Sequence, residues 1–363
     1  MAPRLTPLLL TSELPGTGGV LKTAPEDFLV EELPAYLPSG TGPHTYLWIE
    51  KRGLTTEEAL VRLCRATGVA RDGAGAAGMK DRQAITRQWI SLPDVEPAVA
   101  LAATTPELQV LRAERHGNKL KTGHLRGNRF TIRLRGLRCA QSEAVVRAQA
   151  ILDRLGALGL PNRYGAQRFG ARGDNAEQGR ALLRGGDPRN DSRSGGRRDY
   201  RRFGRSERRL MVSALQSELF NAYLDGRMRD GALRTVVAGD LLRKRESGGI
   251  FAAAEEYLPA VQARLDAGEI DITGPMFGHK MQAPTAGSLS AAREQAVLEQ
   301  AGMSLEDFAA AGALAEGTRR PLTVPVEDAR VELANSPDSI MLWFSLPSGA
   351  YATVLVDEIA KPQ

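Results

Sequence analysis

The residues best placed to do chemistry lie in GMKDRQAITRQWISL, Gly78 to Leu92. A carboxylate, Asp81, stands there between two cations, Lys80 and Arg82, after the glycine-rich run Asp72 to Gly78 and before an apolar run through Trp89 and Ile90. Flanking positive charge favours the ionised form of a carboxyl group. A charged Asp held on a loop suits a nucleophile or a general base. The same three letters also read as a solvated turn, the commoner fate of such a cluster. The segments around them must decide.

Other side chains stand out at a distance. Within GVLKTAPEDFLVEE, Gly19 to Glu32, an extended segment broken at Pro25 carries a cation, Lys22, and an aromatic, Phe28, which as a strand residue is ordinarily core. Further on, NRFTIRLRG alternates: Phe130, Ile132 and Leu134 point one way, and Arg129, Thr131, Arg133 and Arg135 the other. That is a half-buried strand with a cationic face. Asn128 at its mouth can hydrogen-bond a base edge or end the preceding loop. PNRYGAQRFG, Pro161 to Gly170, mixes aromatics, arginines and glycines in a composition suited to single-stranded nucleic acid.

Composition narrows the partners. With 363 residues and 42% hydrophobic content the chain supports two domains, and no run approaches the roughly eighteen apolar residues of a membrane span. The N-terminus lacks a small-residue cleavage pattern, so a cytoplasmic protein is expected. Two cysteines, Cys64 and Cys139, and four scattered histidines offer neither a CxxC nor an HxxxH pair, so no structural metal or disulfide is expected. GAGAAG has no following Lys-Ser or Lys-Thr and does not read as a phosphate loop.

The formal charge of +5 is unevenly spread. From Arg180 to Arg209 eleven arginines face four acids, and a second concentration runs through Arg112, Arg115, Lys119, Lys121, Arg126 and Arg129. Clustered arginine attracts phosphate by charge and by bidentate hydrogen bonding, which makes nucleic acid the leading partner.

The elements that must hold these residues are legible in outline. HTYLWIE, His44 to Glu50, reads as a strand. Thr55 and Glu58 form a capping box opening a helix to Ala66, with Ala59, Leu60, Leu63 and Cys64 on one face. Strands are expected at Gln88 to Leu92 and Leu108 to Ala113, and a helix from Ser142 to Leu155. Helices follow at Glu207 to Leu224 and Ser290 to Gly302, with a glycine- and proline-rich connection from Asp271 to Gly287 between them. TRRPLTVPVEDARVEL, SIMLWFSL and GAYATVLVDE read as closing β-rich runs. A strand-rich start, a helical middle and a strand-rich end suggest one sheet domain with an insertion.

Taken together, LKTAPEDFLVEE (Leu21 to Glu32), GMKDRQAITRQ (Gly78 to Gln88), GNRF (Gly127 to Phe130), NRYGAQRFG (Asn162 to Gly170) and LPSGAYAT (Leu346 to Thr353) resemble, in this order, the signature segments of the TruD family of tRNA pseudouridine synthases. The resemblance implies an α+β fold: a catalytic domain with a mixed, mostly antiparallel sheet over 1–160 and 318–363, interrupted by an α/β insertion domain over 161–317. It implies isomerisation of uridine to pseudouridine at position 13 of tRNA with no cofactor, and the composition leads to no metal and no membrane partner being expected. Carried over by motif, Asp81 is the catalytic aspartate and Lys22 its basic partner. Phe130 is the ring that stacks on the target base, and Phe28, Asn128 and Phe344, with Lys80, complete the uridine pocket. Nothing in the sequence demands more than a monomer. An RNA-binding protein without catalysis and a metal-dependent nuclease are the rival readings, and the second suffers from the sparse acids near Asp81.

Overall fold

The computed structural model describes residues 8–184 and 203–362. In chain order the first elements are β1 (Gly18–Val20), β2 (Phe28–Pro34), β3 (His44–Arg52), α1 (Thr56–Thr67), β4 (Gly75–Ala76) and β5 (Ile85–Pro93). They are followed by α2 (Pro97–Ala102), β6 (Leu108–His116), β7 (Leu125–Leu137) and α3 (Gln141–Leu158). Then come β8 (Leu160–Pro161), α4 (Asn175–Leu183), α5 (Arg205–Arg229), β9 (Leu241–Lys244), β10 (Ile250–Ala252), α6 (Leu258–Asp266), β11 (Ile270–Met276), α7 (Leu289–Gln300), α8 (Leu305–Ala310), β12 (Thr318–Pro321) and β13 (Thr323–Val324). The chain closes with β14 (Glu327–Leu333), β15 (Ser339–Pro347) and α9 (Ala352–Ala360).

The chain forms two compact units. One is Thr11–Gly159 with Pro325–Gln363, and the other is Met1–Leu10 with Leu160–Val324. Residues 318–324, expected from the resemblance on the catalytic side of the boundary, group with the second unit, where β12 pairs antiparallel with β11, Thr318 opposite Met276 and Pro321 opposite Thr273.

The first unit is built on a sheet in the order β14-β15-β7-β2-β5-β3-β6, with β1 added to β7 and β4 to β5. Its pairs are antiparallel except β2 with β5. The alternation read in β7 sets its faces: Phe130, Ile132 and Leu134 are buried, while Arg129 is exposed. Register then fixes which side chains meet, with Phe130 opposite Val30 and Phe344, and Phe28 opposite Ile132. Helix α1 opens on the Thr55–Glu58 capping box and buries Ala59, Leu60, Leu63 and Cys64 against Leu47, Ile49, Ile90 and Leu92.

Two segments depart from the sequence reading. The run through Tyr351 is helix α9, not strand, because Ala352, Leu355, Val356, Ile359 and Ala360 recur at helical spacing and all are buried. The supposed connection after Asp271 includes β11, which is buried along its whole length at the centre of the second unit's sheet, in the order β10-β9-β11-β12. Gly274 is needed there, since a Cβ would come within 3.0 Å of both Phe220 and Tyr223. Among the described residues no helix is long and apolar enough to cross a membrane.

Candidate active site

Asp81 lies on the loop from β4 to β5, its side chain half exposed. Lys22 Nζ stands 2.5 Å from Asp81 Oδ2, although 59 residues separate them in sequence. Lys22 has φ +60°, a left-handed conformation rare for a residue with a side chain. The strain is kept where a cation meets a carboxylate, a common property of functional sites. The same ammonium lies 4.5 Å from the centroid of the Phe28 ring. Beyond it the aromatics form a row: Phe28 to Phe130 at 6.0 Å, tilted 60°, then Phe130 to Phe344 at 5.2 Å, stacked at 27°.

An aromatic sandwich with a base between Phe130 and Phe344 does not fit this row. Two rings enclosing a base need about 7 Å, two van der Waals spacings, and these two already touch. Phe344 is fully buried, so it backs Phe130 rather than facing a ligand. On the same face of β7, two residues before Phe130, Asn128 presents Oδ1 buried and without a hydrogen-bond partner among the described residues. An unsatisfied buried acceptor is costly and calls for a ligand donor.

The loop is fixed from below by three buried side chains. Gln88 Nε2 donates to the Gly78 carbonyl at 3.1 Å. Thr56 Oγ1 accepts from the Lys80 amide at 2.8 Å and donates to Gln88 Oε1 at 2.9 Å. Lys51, with no exposed surface, donates from Nζ to the Asp81 carbonyl at 3.0 Å and the Leu54 carbonyl at 2.5 Å. Burial pushes the Lys51 ammonium down to about 8, against the pull of the Asp81 charge.

The sequence neighbours of Asp81 each pair with another carboxylate. Lys80 turns inward, its ammonium 3.1 Å from the buried Glu32 Oε2, which makes it a brace between the loop and β2 rather than an open cation. Glu32 also accepts from the Trp89 amide at 3.3 Å; burial raises its carboxyl pKa, opposed by the Lys80 charge. Arg82 pairs with Glu58 at the start of α1. Lys22 pairs with the Asp81 carboxylate, and Lys51 holds its backbone carbonyl.

Sequence reasoning missed Lys51 and Asp27. Strand alternation held the signal for the first, because Leu47, Ile49 and Lys51 share one face of β3 and the first two are core. Asp27, buried just before Phe28, takes a bidentate pair from Arg135 at 2.8 and 2.8 Å and the Ala24 amide at 3.1 Å. Arg135 lowers the Asp27 carboxyl pKa, chiefly by these hydrogen bonds.

In the second unit NRYGAQRFG is largely structural. Asn162 Nδ2 donates to the Pro321 carbonyl, Arg163 pairs with Asp225, and Arg168 reaches Ser213 and Ser217 on α5. Of the arginine-rich run, Arg180 pairs with Glu218 and Arg184 reaches the Gly302 carbonyl. Residues 185–202 lie outside the described residues. Among the described residues no group of three or more His, Cys, Asp or Glu is placed to hold a metal ion.

The architecture is that of a pseudouridine synthase carrying an inserted α/β unit. The crystal structure of a Methanosarcina mazei protein assigned to tRNA pseudouridine synthase D matches it with a TM-score of 0.80 over 99% of this chain and 97% of that one, at 24% identity. The family model for tRNA pseudouridine synthase D (TruD) matches residues 6–190 and 199–359. A tRNA pseudouridine synthase D from Anaeromyxobacter sp. strain Fw109-5 is 48% identical over 97% of this chain and 95% of its own length. One from Thermus thermophilus is 41% identical over 97% and 91%. The chain belongs to the TruD family of tRNA pseudouridine synthases.

Proposed function

We propose that this chain isomerises uridine to pseudouridine in tRNA, at position 13, using Asp81 and no cofactor. The reaction breaks the bond from ribose C1′ to uracil N1, turns the base, joins C1′ to C5 and moves the C5 proton to solvent while N1 regains one. Water is not consumed, so a single carboxylate suffices where a glycosidase needs two. Asp81 attacks C1′, adds to C6 or takes the C2′ proton; each route uses the carboxylate oxygens, and the Lys22 ammonium lies 2.5 Å from one of them. The uridine must first be turned out of the folded RNA.

The observation that carries the reading is the Lys22–Asp81 pair at the mouth of the Phe28–Phe130 row, with the unpartnered Asn128 Oδ1 on the same sheet face. In this reading the freed uracil packs on the Phe28–Phe130 end of that row, where the rings keep 4% and 6% of their surface exposed. Its N3–H donates to Asn128, Phe344 supports Phe130 from behind, and Lys80 acts through the Glu32 brace. The enzyme is taken to work as a cytoplasmic monomer, which gel filtration tests. Incubation with unmodified tRNA, without metal or nucleotide, followed by chemical mapping should give pseudouridine at one site. Asp81→Asn should lower turnover by at least roughly 10³-fold with tRNA affinity within about threefold. Retained turnover in that variant would refute the assignment.

A further inference from the structure

The basic loop between β6 and β7 is not used by the chemistry above, yet it helps to form a cavity of about 760 Å³. Its wall includes Tyr36, His116, Asn118, Lys119, Lys121 and His124, and among the described residues no carboxylate lines it. Among the described residues neither Lys119 nor Lys121 enters an ion pair, in a chain with 43 acids. The volume is that of a nucleotide-sized ligand pocket.

The wall is preformed. Tyr36 stacks on His116 at 5.3 Å and 21°, and its hydroxyl lies 2.6 Å from His124 Nδ1. His116 rests in turn on Tyr46, ring centroids 4.5 Å apart, over a buried floor of Tyr46, Ala77, Trp89 and Leu120. The loop is tied down by the Leu120 amide to Ser91 Oγ at 2.9 Å and the Gly123 amide to the Ala77 carbonyl at 2.8 Å. The Ser39 amide donates to His116 Nδ1 at 3.2 Å, so that nitrogen carries no proton and the ring's N–H is on Nε2. The cavity thus offers two ammonium groups, an imidazole N–H donor, and Tyr36 with more than a third of its surface exposed.

We propose that this cavity is a second RNA site, taking a phosphate and its base from a nucleotide of the substrate tRNA other than the target uridine. Lysines and an imidazole N–H suit the phosphate, and the open face of Tyr36 suits a stacked base. The site lies past the far end of β2 from Phe28: six residue steps at ~3.3 Å place it roughly 20 Å away. That span exceeds one nucleotide, so the two sites act together only on a folded or extended RNA.

The inference rests on tRNA being the substrate, and direct binding separates the two ideas. Binding of unmodified tRNA to the full chain is measured by filter retention across a salt series, for wild type, for Lys119→Ala/Lys121→Ala, and for the exposed Lys121→Glu, which leaves Lys119's bond to the Asp72 carbonyl intact. The double variant should weaken binding roughly tenfold and flatten the salt dependence by about one to two ions, with kcat at saturating tRNA unchanged. Lys121→Glu, which reverses one charge, should also weaken binding relative to wild type. A five-nucleotide RNA carrying the target uridine should bind wild type and variants alike. Equal tRNA affinity and salt slope in wild type and both variants would overturn the second site while leaving the proposed function standing. Absence of tRNA binding by wild type would instead remove the reading on which it rests.

Discussion

Arg227 in the second unit and Lys51 in the first are both cations with no exposed surface, and their surroundings differ sharply. Arg227 meets Asp240 through both Nη atoms, at 2.8 to 3.1 Å, and donates to the carbonyls of Ala232 at 3.0 Å and Thr235 at 2.8 Å. Its charge is cancelled inside the fold. Among the described residues Lys51 has two backbone carbonyls and no carboxylate within ion-pair distance, and one of those carbonyls belongs to Asp81. A buried ammonium without a counter-ion is unfavourable for folding. Arg227 is there for the structure, whereas Lys51 is held at a cost to stability beside the residue proposed to do chemistry.

Removing half of the Arg227 pair should give the largest stability loss. Arg227→Ala strands Asp240, which also accepts the Val237 amide at 2.9 Å, and should cost about 3–5 kcal/mol. Urea unfolding followed by far-ultraviolet circular dichroism measures it. A loss below about 1 kcal/mol would show that the charge of Asp240 was not held by this pair, and the contrast with Lys51 would fail.

Lys51→Met tests the other side. The loop should loosen at Asp81, and a displacement of even an ångström costs on the order of 10²-fold in turnover, with tRNA affinity unchanged. The pH dependence has a definite sign. Lys51 titrates near 8 in the folded protein, below its ordinary value of about 10.4. Its charge is therefore present below pH 8 and lost above it, so wild-type turnover should fall through about pH 8 and that limb should vanish in Lys51→Met. Folding holds this proton less tightly than the unfolded chain does, so the residue's contribution to stability rises with pH between those two values. Activity and stability thus move in opposite directions over one window. Turnover by Lys51→Met within twofold of wild type would show that the bond to the Asp81 carbonyl positions nothing.

The contrast also shows what a sequence can carry. Local signals sufficed for α1, where Thr55 and Glu58 cap each other, and for β7, whose alternation gave the correct faces. The pairing of Lys22 with Asp81 came through the family resemblance, since a contact across 59 residues leaves no local trace. Lys80 and Arg82 flank Asp81 in sequence yet each reaches a carboxylate elsewhere, because adjacency in sequence says nothing about where a long side chain ends. Glu32 and Glu58, each on another element, decide that. The arginines of NRYGAQRFG misled for the same reason: composition counts cations, and only the fold shows which have been consumed.

The smallest of these effects is expected at Asp27, whose buried carboxylate is matched by Arg135 as Asp240 is by Arg227, but at the root of the aromatic row rather than deep in a core. Asp27→Asn keeps the shape and removes the charge. Loss of a charge-assisted bidentate pair should cost about 1.5–3 kcal/mol at neutral pH. Because folding lowers the Asp27 pKa, its contribution is fully present above the unfolded carboxyl's pKa of about 3.9 and disappears as pH falls through the lower folded value. The gap between wild type and Asp27→Asn should therefore be widest near pH 7 and should close in acid. All three tryptophans, Trp48, Trp89 and Trp343, lie in strands of this unit, so fluorescence during urea unfolding reports on it specifically. A gap that stays constant down to pH 3 would mean that Asp27 supports Phe28 by shape alone.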